Sequence, residues 1–458
     1  MPKVSPADDE QVTASSEALF SVGGVLKAAL GPGATQAIEN HLAAVLQVKN
    51  LVLFIGSGAS FHLGSPHTRQ LKNAAVDDMV VASGGALSDK DNKLLGAINA
   101  TDSGDLERLL NSLQLAATLA SESADQSVSL NVGDALEKFT RTDIEQLRKR
   151  LNSALAFACN LPAASAKLAD PYAAHRILLS RIAAGRRDGL PRPKIFTTNY
   201  DLVIERALDQ LGYPYVDGFS GTIDRRLNLA YYGLDFHRVD VNSQSVVSRA
   251  SASYYLHKIH GSLNWHASDQ TDSTSGISSF DVIQTHSDSP ADDGSVLIYP
   301  TAAKEGDSLA YPYSDLMRLL SDALQQADTA VLCLGYGFRD AHINRILLRN
   351  LALNTSLGIT VVDPGGVFDE KIVMAAAKDS SKAVGKPLGE MGKPQDTPLA
   401  KLAFAQDPRI AVLTGPGARF EQFVTFLPDP RVSDAGPAAV NDLMSSLDAF
   451  GFFGGVAK

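Results

Sequence analysis

A series of short apolar runs, each closed by glycine or a polar turn, constrains this chain more than any other feature. Leu51-Val52-Leu53-Phe54-Ile55 runs into Gly56-Ser57-Gly58-Ala59-Ser60. Lys194-Ile195-Phe196-Thr197-Thr198 runs into Asn199-Tyr200-Asp201, after which Leu202, Val203, Ala207, Leu208 and Leu211 recur at helical spacing. Tyr254 to Ile259, Val296 to Tyr299, Ala330 to Leu334, Ile359 to Val362 and Ile410 to Leu413 continue the series. A strand that is apolar on both sides needs cover on both faces. Runs of this length alternating with helices therefore predict an α/β fold, a Rossmann-like, doubly wound, mostly parallel sheet.

The 458 residues amount to about three domain-sized units at roughly 150 residues each. Ala75 to Leu190 has helical rather than strand character, with Leu106, Leu109, Leu110, Leu113 and Leu115 close together and Leu147, Leu151, Leu155 and Phe157 further on. The expected organisation is a polar tail and helix over 1–44, an α/β domain over 45–415 carrying a helical insertion at 75–190, and a helical tail over 416–458. Ser268 to Gly294 and Lys378 to Thr397 read as long polar loops. The amphipathic stretch from Val440 to Phe450, followed by Phe452-Phe453-Gly454-Gly455, reads as a surface that docks on the body or on a neighbouring subunit.

Composition narrows the function. Hydrophobic residues make up 45% and charged ones 20%, which excludes the low-complexity, collagen-like and disordered classes. The only cysteines, Cys159 and Cys333, lie far apart, so neither a disulfide framework nor a four-thiolate zinc site is possible, which suits a reducing cytosol. The net charge of −10 lacks the basic excess of a protein that neutralises phosphates, so no direct nucleic-acid contact is expected. The polar, acidic start is no signal peptide, and no apolar run approaches the ~18 residues of a membrane span. The expectation is a soluble cytoplasmic protein with no membrane contact.

The motifs that can carry chemistry all fall at the ends of these runs. Glycines at 56 and 58 allow close approach of backbone to a pyrophosphate beside a helix N-terminus, although a tight turn with no ligand accounts for them equally well. No third glycine follows, and Asp77-Asp78 is not preceded by a strand-like run, so an ordinary dehydrogenase fingerprint is disfavoured. Asn199 and Asp201 sit where open α/β sheets bind ligands, and either side chain can instead cap the next helix. In His257-Lys258-Ile259-His260-Gly261-Ser262-Leu263-Asn264-Trp265, a strand would place His260 on one face with Lys258 and Ser262, with His257 pointing the other way. That arrangement disfavours a metal site from His257, His260 and His266, and no metal is expected. The Gly-Ser after His260 puts it at a crevice edge, where base chemistry is possible. Leu334-Gly335-Tyr336-Gly337-Phe338-Arg339-Asp340 and Val361-Val362-Asp363-Pro364 complete the set, and an acidic group at a strand end can hold ribose hydroxyls.

Taken in order, Gly-Ser-Gly-Ala-Ser, Thr-Thr-Asn-Tyr-Asp, His-Gly-Ser-Leu-Asn-Trp and Gly-Tyr-Gly-Phe-Arg-Asp resemble the SIR2-like (sirtuin-like) NAD-binding domain. The resemblance covers about residues 45 to 415 and looks closest to the SIR2-like NADases of prokaryotic antiphage defence. It implies that Gly56, Ser57, Gly58, Ala59 and Ser60 hold the NAD pyrophosphate and that Asn199 contacts the nicotinamide ribose. It further implies that Asp201 reads the carboxamide, that His260 is the base, and that Gly335, Gly337 and Asp363 line the phosphates and adenosine ribose. The zinc module of sirtuin deacylases uses four cysteines, which this chain lacks, so no zinc is expected and hydrolysis of NAD itself fits better than deacylation.

The resemblance thus implies an NAD+ hydrolase releasing nicotinamide and ADP-ribose, with NAD depletion stopping an infected cell (abortive infection). Such an activity needs gating, by homo-oligomerisation or by a partner; a HerA-type ATPase or an Argonaute-type protein is the implied companion. Two other readings share the residues. A sirtuin-like enzyme transferring ADP-ribose needs an acceptor cleft, and an NAD or ADP-ribose sensor within a defence complex needs the glycine loop but not His260.

Overall fold

The computed structural model describes residues 18–29, 35–66, 68–83, 85–99, 106–161, 170–239, 247–250, 252–271, 278–285, 296–298, 311–365, 367–368, 372–373, 376 and 383–429. The chain begins with β1 (Leu19–Val22) and β2 (Val25–Ala29), then α1 (Gln36–Gln47) and β3 (Asn50–Ile55). Next come α2 (Thr68–Ala82), α3 (Asp89–Asn99), α4 (Leu106–Glu122), β4 (Ser127–Val132), β5 (Ala135–Thr140) and α5 (Arg141–Ala158). They are followed by α6 (Ala173–Gly185), β6 (Lys194–Thr197), α7 (Val203–Leu211), β7 (Tyr215–Val216), β8 (Phe219–Ser220), β9 (Arg225–Leu227), β10 (His237–Val239), β11 (Val247–Arg249) and β12 (Tyr254–Lys258). The remainder includes β13 (Gly261–Thr271), β14 (Ser278–Gln284), β15 (Val296–Ile298), α8 (Tyr313–Gln325), β16 (Thr329–Leu334), α9 (Ala341–Leu353), β17 (Leu357–Asp363) and β18 (Ile410–Thr414).

The main sheet runs β2-β1-β18-β17-β16-β3-β6-β12-β7. It is parallel from β18 to β7, and β1 and β2 are added antiparallel at one edge. Alternation along β3 explains its two-sided cover. Val52 and Phe54 enter one buried cluster with α8 and α9, whereas Leu51, Leu53 and Ile55 enter another with α1, α6 and α7. From β3 the chain steps outward to β6 and β12, then returns to β16 on the other side of β3. The winding therefore reverses between β3 and β16, the place where such sheets bind ligands. The doubly wound α/β expectation holds.

Several local expectations are revised. The 1–44 segment is more than a tail and helix, because Gly23 and Gly24, both at positive φ, turn β1 into β2 as a hairpin of the main sheet. Within 75–190, α2 to α5 build their own core from residues such as Met79, Leu113, Leu147 and Leu151. That unit also contains the β4–β5 hairpin, and α6 leaves it to pack on the main sheet. The hairpin escapes sequence pattern because its strands are largely exposed, so only pairing and not burial shapes them. Val296–Ile298 joins an antiparallel sheet, β15-β13-β14-β9-β8, rather than the parallel one. Part of the polar 268–294 stretch is strand in that sheet, in which Trp265 and Val282 join the core. Residues 416–429 hold short helical turns such as Phe420–Phe423, and the rest of the 416–458 tail, with 440–455, lies outside the described residues. Of the 378–397 stretch, 378–382 is likewise outside them, and 383–397 carries a short helical turn at Leu388–Glu390.

Candidate active site

Three glycines knit the crevice between β3 and β16. The Gly56 N–H donates to Leu334 O (2.9 Å) and the Gly58 N–H to Gly335 O (3.0 Å). Gly335 has φ +61°, and a β-carbon there would lie 2.3 Å from the Ala59 nitrogen. A β-carbon on Gly56 or Gly58 would press to 2.6–2.7 Å from Gly335. These glycines are thus required by the crossing of two turns, and the N–H groups of Gly56 and Gly58 are already committed to it. Ser57 opens the short helical segment Ser57–Leu63, in which Ala59 and Ser60 are fully buried.

Ser60 carries the link to the next strand end. Its hydroxyl donates to Asp201 Oδ2 (3.0 Å) and accepts from Asn199 Nδ2 (3.3 Å). Asp201 Oδ1 accepts from the Val203 N–H (3.1 Å), so the carboxylate both caps α7 and fastens the glycine loop. Burial lifts the Asp201 carboxyl above its usual range, with Lys258, the Val203 N–H, Ser60 and Asn199 pulling it back. Asn199 is 6% exposed, and among the described residues its Oδ1 is buried with no hydrogen-bond partner. A buried acceptor left in that state is costly.

Lys258 closes the arrangement from below. Its ammonium donates to the carbonyls of Tyr200 (3.3 Å) and Asp201 and pairs with Glu205 Oε1 (2.9 Å), all within the interior. Burial pushes the Glu205 carboxyl up, and Lys258 opposes that. His257 takes no part in this chemistry. It is sandwiched between Phe196 (4.2 Å) and Tyr232 (4.1 Å), where desolvation lowers it to about 3.

β12 ends at Lys258, so His260 stands in the turn to β13 rather than on a strand face shared with Lys258. The positive φ of Gly261 makes that turn. His260 is 5% exposed, and its Nε2 lies 3.3 Å from Asp340 Oδ2. Asp340 is the residue that sequence reasoning left out of the site. An Asp before a helix reads as a cap, and it is one: Oδ1 accepts from the N–H groups of His342 (2.8 Å) and Ile343 (3.1 Å). The second oxygen is thereby aimed at the imidazole. Burial raises the Asp340 carboxyl, but His260 and the two helix N–H groups outweigh it and hold it below the usual range. Its stabilising contribution is therefore complete above the ordinary carboxylate value of ~3.9 and is lost only as pH falls through the depressed one.

Gly337 is in the exposed part of the next turn, 3.8 Å from Arg339 if given a β-carbon, so it is not crowded in the way Gly335 is. Asp363 ends β17, accepts from the Gly365 N–H (3.0 Å), and is raised by burial against the pull of that N–H and of Arg339. The insert reaches this region too: Leu263 is part of its buried core, Tyr200 packs against that core, and the Leu263 N–H donates to Tyr200 O (3.1 Å). Among the described residues no cluster of His, Cys, Asp or Glu is placed to hold a metal, and no helix is long and apolar enough to cross a membrane.

Residues 193–371 match the family model of the SIR2-like domain. Asn199, Asp201, His260, Asp340 and Asp363, brought to the strand ends beside the crevice between β3 and β16, all lie within that matched stretch. The glycine loop at 56–60 precedes the matched stretch and joins it through Ser60 and Gly335. Among solved structures, the chain is similar to a crystal structure of a Sir2 homologue–NAD complex, with 14% identity, 84% of this chain and 92% of that chain covered, and a TM-score of 0.39. No curated protein matches it.

Proposed function

We propose that this chain is an NAD+ hydrolase that cleaves the bond between nicotinamide and ribose C1′. The observation that carries the reading is the meeting, within a SIR2-like domain, of the unsatisfied Asn199 amide oxygen with a carboxylate-backed His260 at the ends of neighbouring strands β6 and β12. The bond breaks through an oxocarbenium-like state, so the site must orient the ribose and admit one water. Asn199 Oδ1 accepts from that water or from a ribose hydroxyl. As the water oxygen bonds to C1′, the electron pair of the old bond goes to the nicotinamide nitrogen and the proton goes to His260, then to solvent. With Nε2 facing Asp340, Nδ1 is the basic nitrogen. The glycine loop, Asp363 and the exposed Arg339 frame the phosphates and adenosine ribose.

The same reading gives the protein a gated resting state and a role in antiphage defence by NAD depletion. The contact of the insert's core with Leu263 and Tyr200 supports a route by which a partner or a second subunit acts on the site. Free nicotinamide and free ADP-ribose in equal amounts are expected from NAD+ when the purified chain is supplied with extract of phage-infected cells. Nicotinamide without matching free ADP-ribose would favour transfer to an acceptor, and NAD binding without release would favour a sensor.

Asp340→Asn separates positioning from folding, because asparagine caps helices well. It is expected to lower kcat on the order of tenfold with KM for NAD+ little changed, because the imidazole loses the group that orients it. An unchanged kcat would remove Asp340 from the reaction.

A further inference from the structure

We infer that the cavity at the opposite end of β6 and β12 is a binding site for a phosphate-bearing small molecule. The cavity measures about 440 Å³ and is lined by Arg186, Arg187, Arg192, Arg249, Ser253 and Tyr254 among others. That is the size range of small-molecule sites.

Its charge is the exception in an acidic chain. Arg192 and Arg249 share the carboxylate of Asp235, and Asp188 is the other acid at the rim. Among the described residues Arg186 has no carboxylate partner: its guanidinium donates to the carbonyls of Leu46 (2.7 Å), Val48 (3.1 Å), Lys49 (3.0 Å) and Pro191 (3.1 Å). Arg187 gives only its Nε, to Gln47 Oε1 (3.0 Å), and among the described residues its two terminal nitrogens have no partner. Positive charge therefore exceeds negative charge around a half-open cleft. Burial there lowers Arg186 to about 10, the direction expected of a cation short of counter-charge. Ser253 is the independent sign of a missing ligand. It is 3% exposed, lines the cavity, and its hydroxyl has no hydrogen-bond partner among the described residues.

Guanidinium forks match phosphate oxygens in pairs, a hydroxyl adds one more donor, and the walls from Ala183, Leu190 and Pro191 offer apolar contact to the rest of the ligand. Pro193 directly precedes β6 and Ser253 directly precedes β12. An occupant thus bears on the first residues of the same strands whose last residues lead to Asn199 and His260.

Calorimetric titration of the full chain with inorganic pyrophosphate, at fixed ionic strength, tests the site. Wild type and Asn199→Ala are expected to show saturable binding, and Arg187→Ala/Arg249→Ala to weaken it by about tenfold or more. Both arginines are exposed, so the double variant is expected to keep its far-UV spectrum; Arg187→Glu alone, expected to weaken binding as well, is the second variant. Absence of saturable binding in wild type overturns the inference, as does equal affinity in wild type and the arginine variants, which would put the pyrophosphate elsewhere.

Discussion

His260→Ala is expected to reduce nicotinamide release from NAD+ by about 10²–10⁴-fold, the range a positioned general base supplies. Asn199→Ala is expected to cost about 10²–10³-fold, by analogy with the loss of one preorganised polar group at a reacting centre. The two act on one water, so the double variant should fall little below the worse single one. Neither loss should come from unfolding. Asp340 keeps two backbone N–H donors when His260 is truncated, and Ser60 keeps its bond to Asp201 when Asn199 is. Nicotinamide release by the activated wild type and variants, alongside NAD binding, is the measurement. Activity that survives either substitution would sink the proposed chemistry, and binding lost along with release would leave the role of that side chain in the chemical step unsupported.

The second large effect concerns stability. Glu205→Ala strips the buried Lys258 ammonium of its carboxylate partner and is expected to cost about 3–5 kcal/mol, because the uncompensated charge remains inside. Glu205→Gln keeps an acceptor and should cost less than half as much. Urea unfolding at neutral pH reads both. A loss below about 1 kcal/mol for the alanine variant, the value of a surface pair, would show that Lys258 finds water instead. The same lysine holds the carbonyls of Tyr200 and Asp201, so the alanine variant should also lose order next to Asn199.

What the sequence revealed follows from which forces write themselves into local pattern. Strands buried on both faces appear as unbroken apolar runs, so β3, β6, β12, β16, β17 and β18 and the residues at their ends were legible. Strands defined by pairing rather than by an apolar run were not: β13 from Ser268 on, together with β14, reads as a Ser- and Asp-rich loop, and β4 and β5 vanish into a helical stretch. The β1–β2 hairpin did carry a signal, two glycines between apolar runs, and it went unread. In the site, Asn199 and His260 stood out because their neighbours are distinctive. Asp340 did not, because its capping role is local and its contact with His260 depends on β16 and β12 lying in one sheet. The glycines at 56 and 58 read equally well as room for a phosphate or as a tight turn, and the closeness of Gly58 to Gly335 supplies a packing reason that no local pattern carries.

That crossing sets an order of events during synthesis. The loop at 56–60 leaves the ribosome early, yet Gly335 and Asp340 come from the last third of the chain. A nascent or prematurely terminated product ending before β16 has Asn199 and His260 but neither the turn that locks the loop nor the carboxylate behind the imidazole. The locking of the loop and the placing of Asp340 beside His260 thus wait for β16 and the turn that follows it, whatever the earlier segments have already formed.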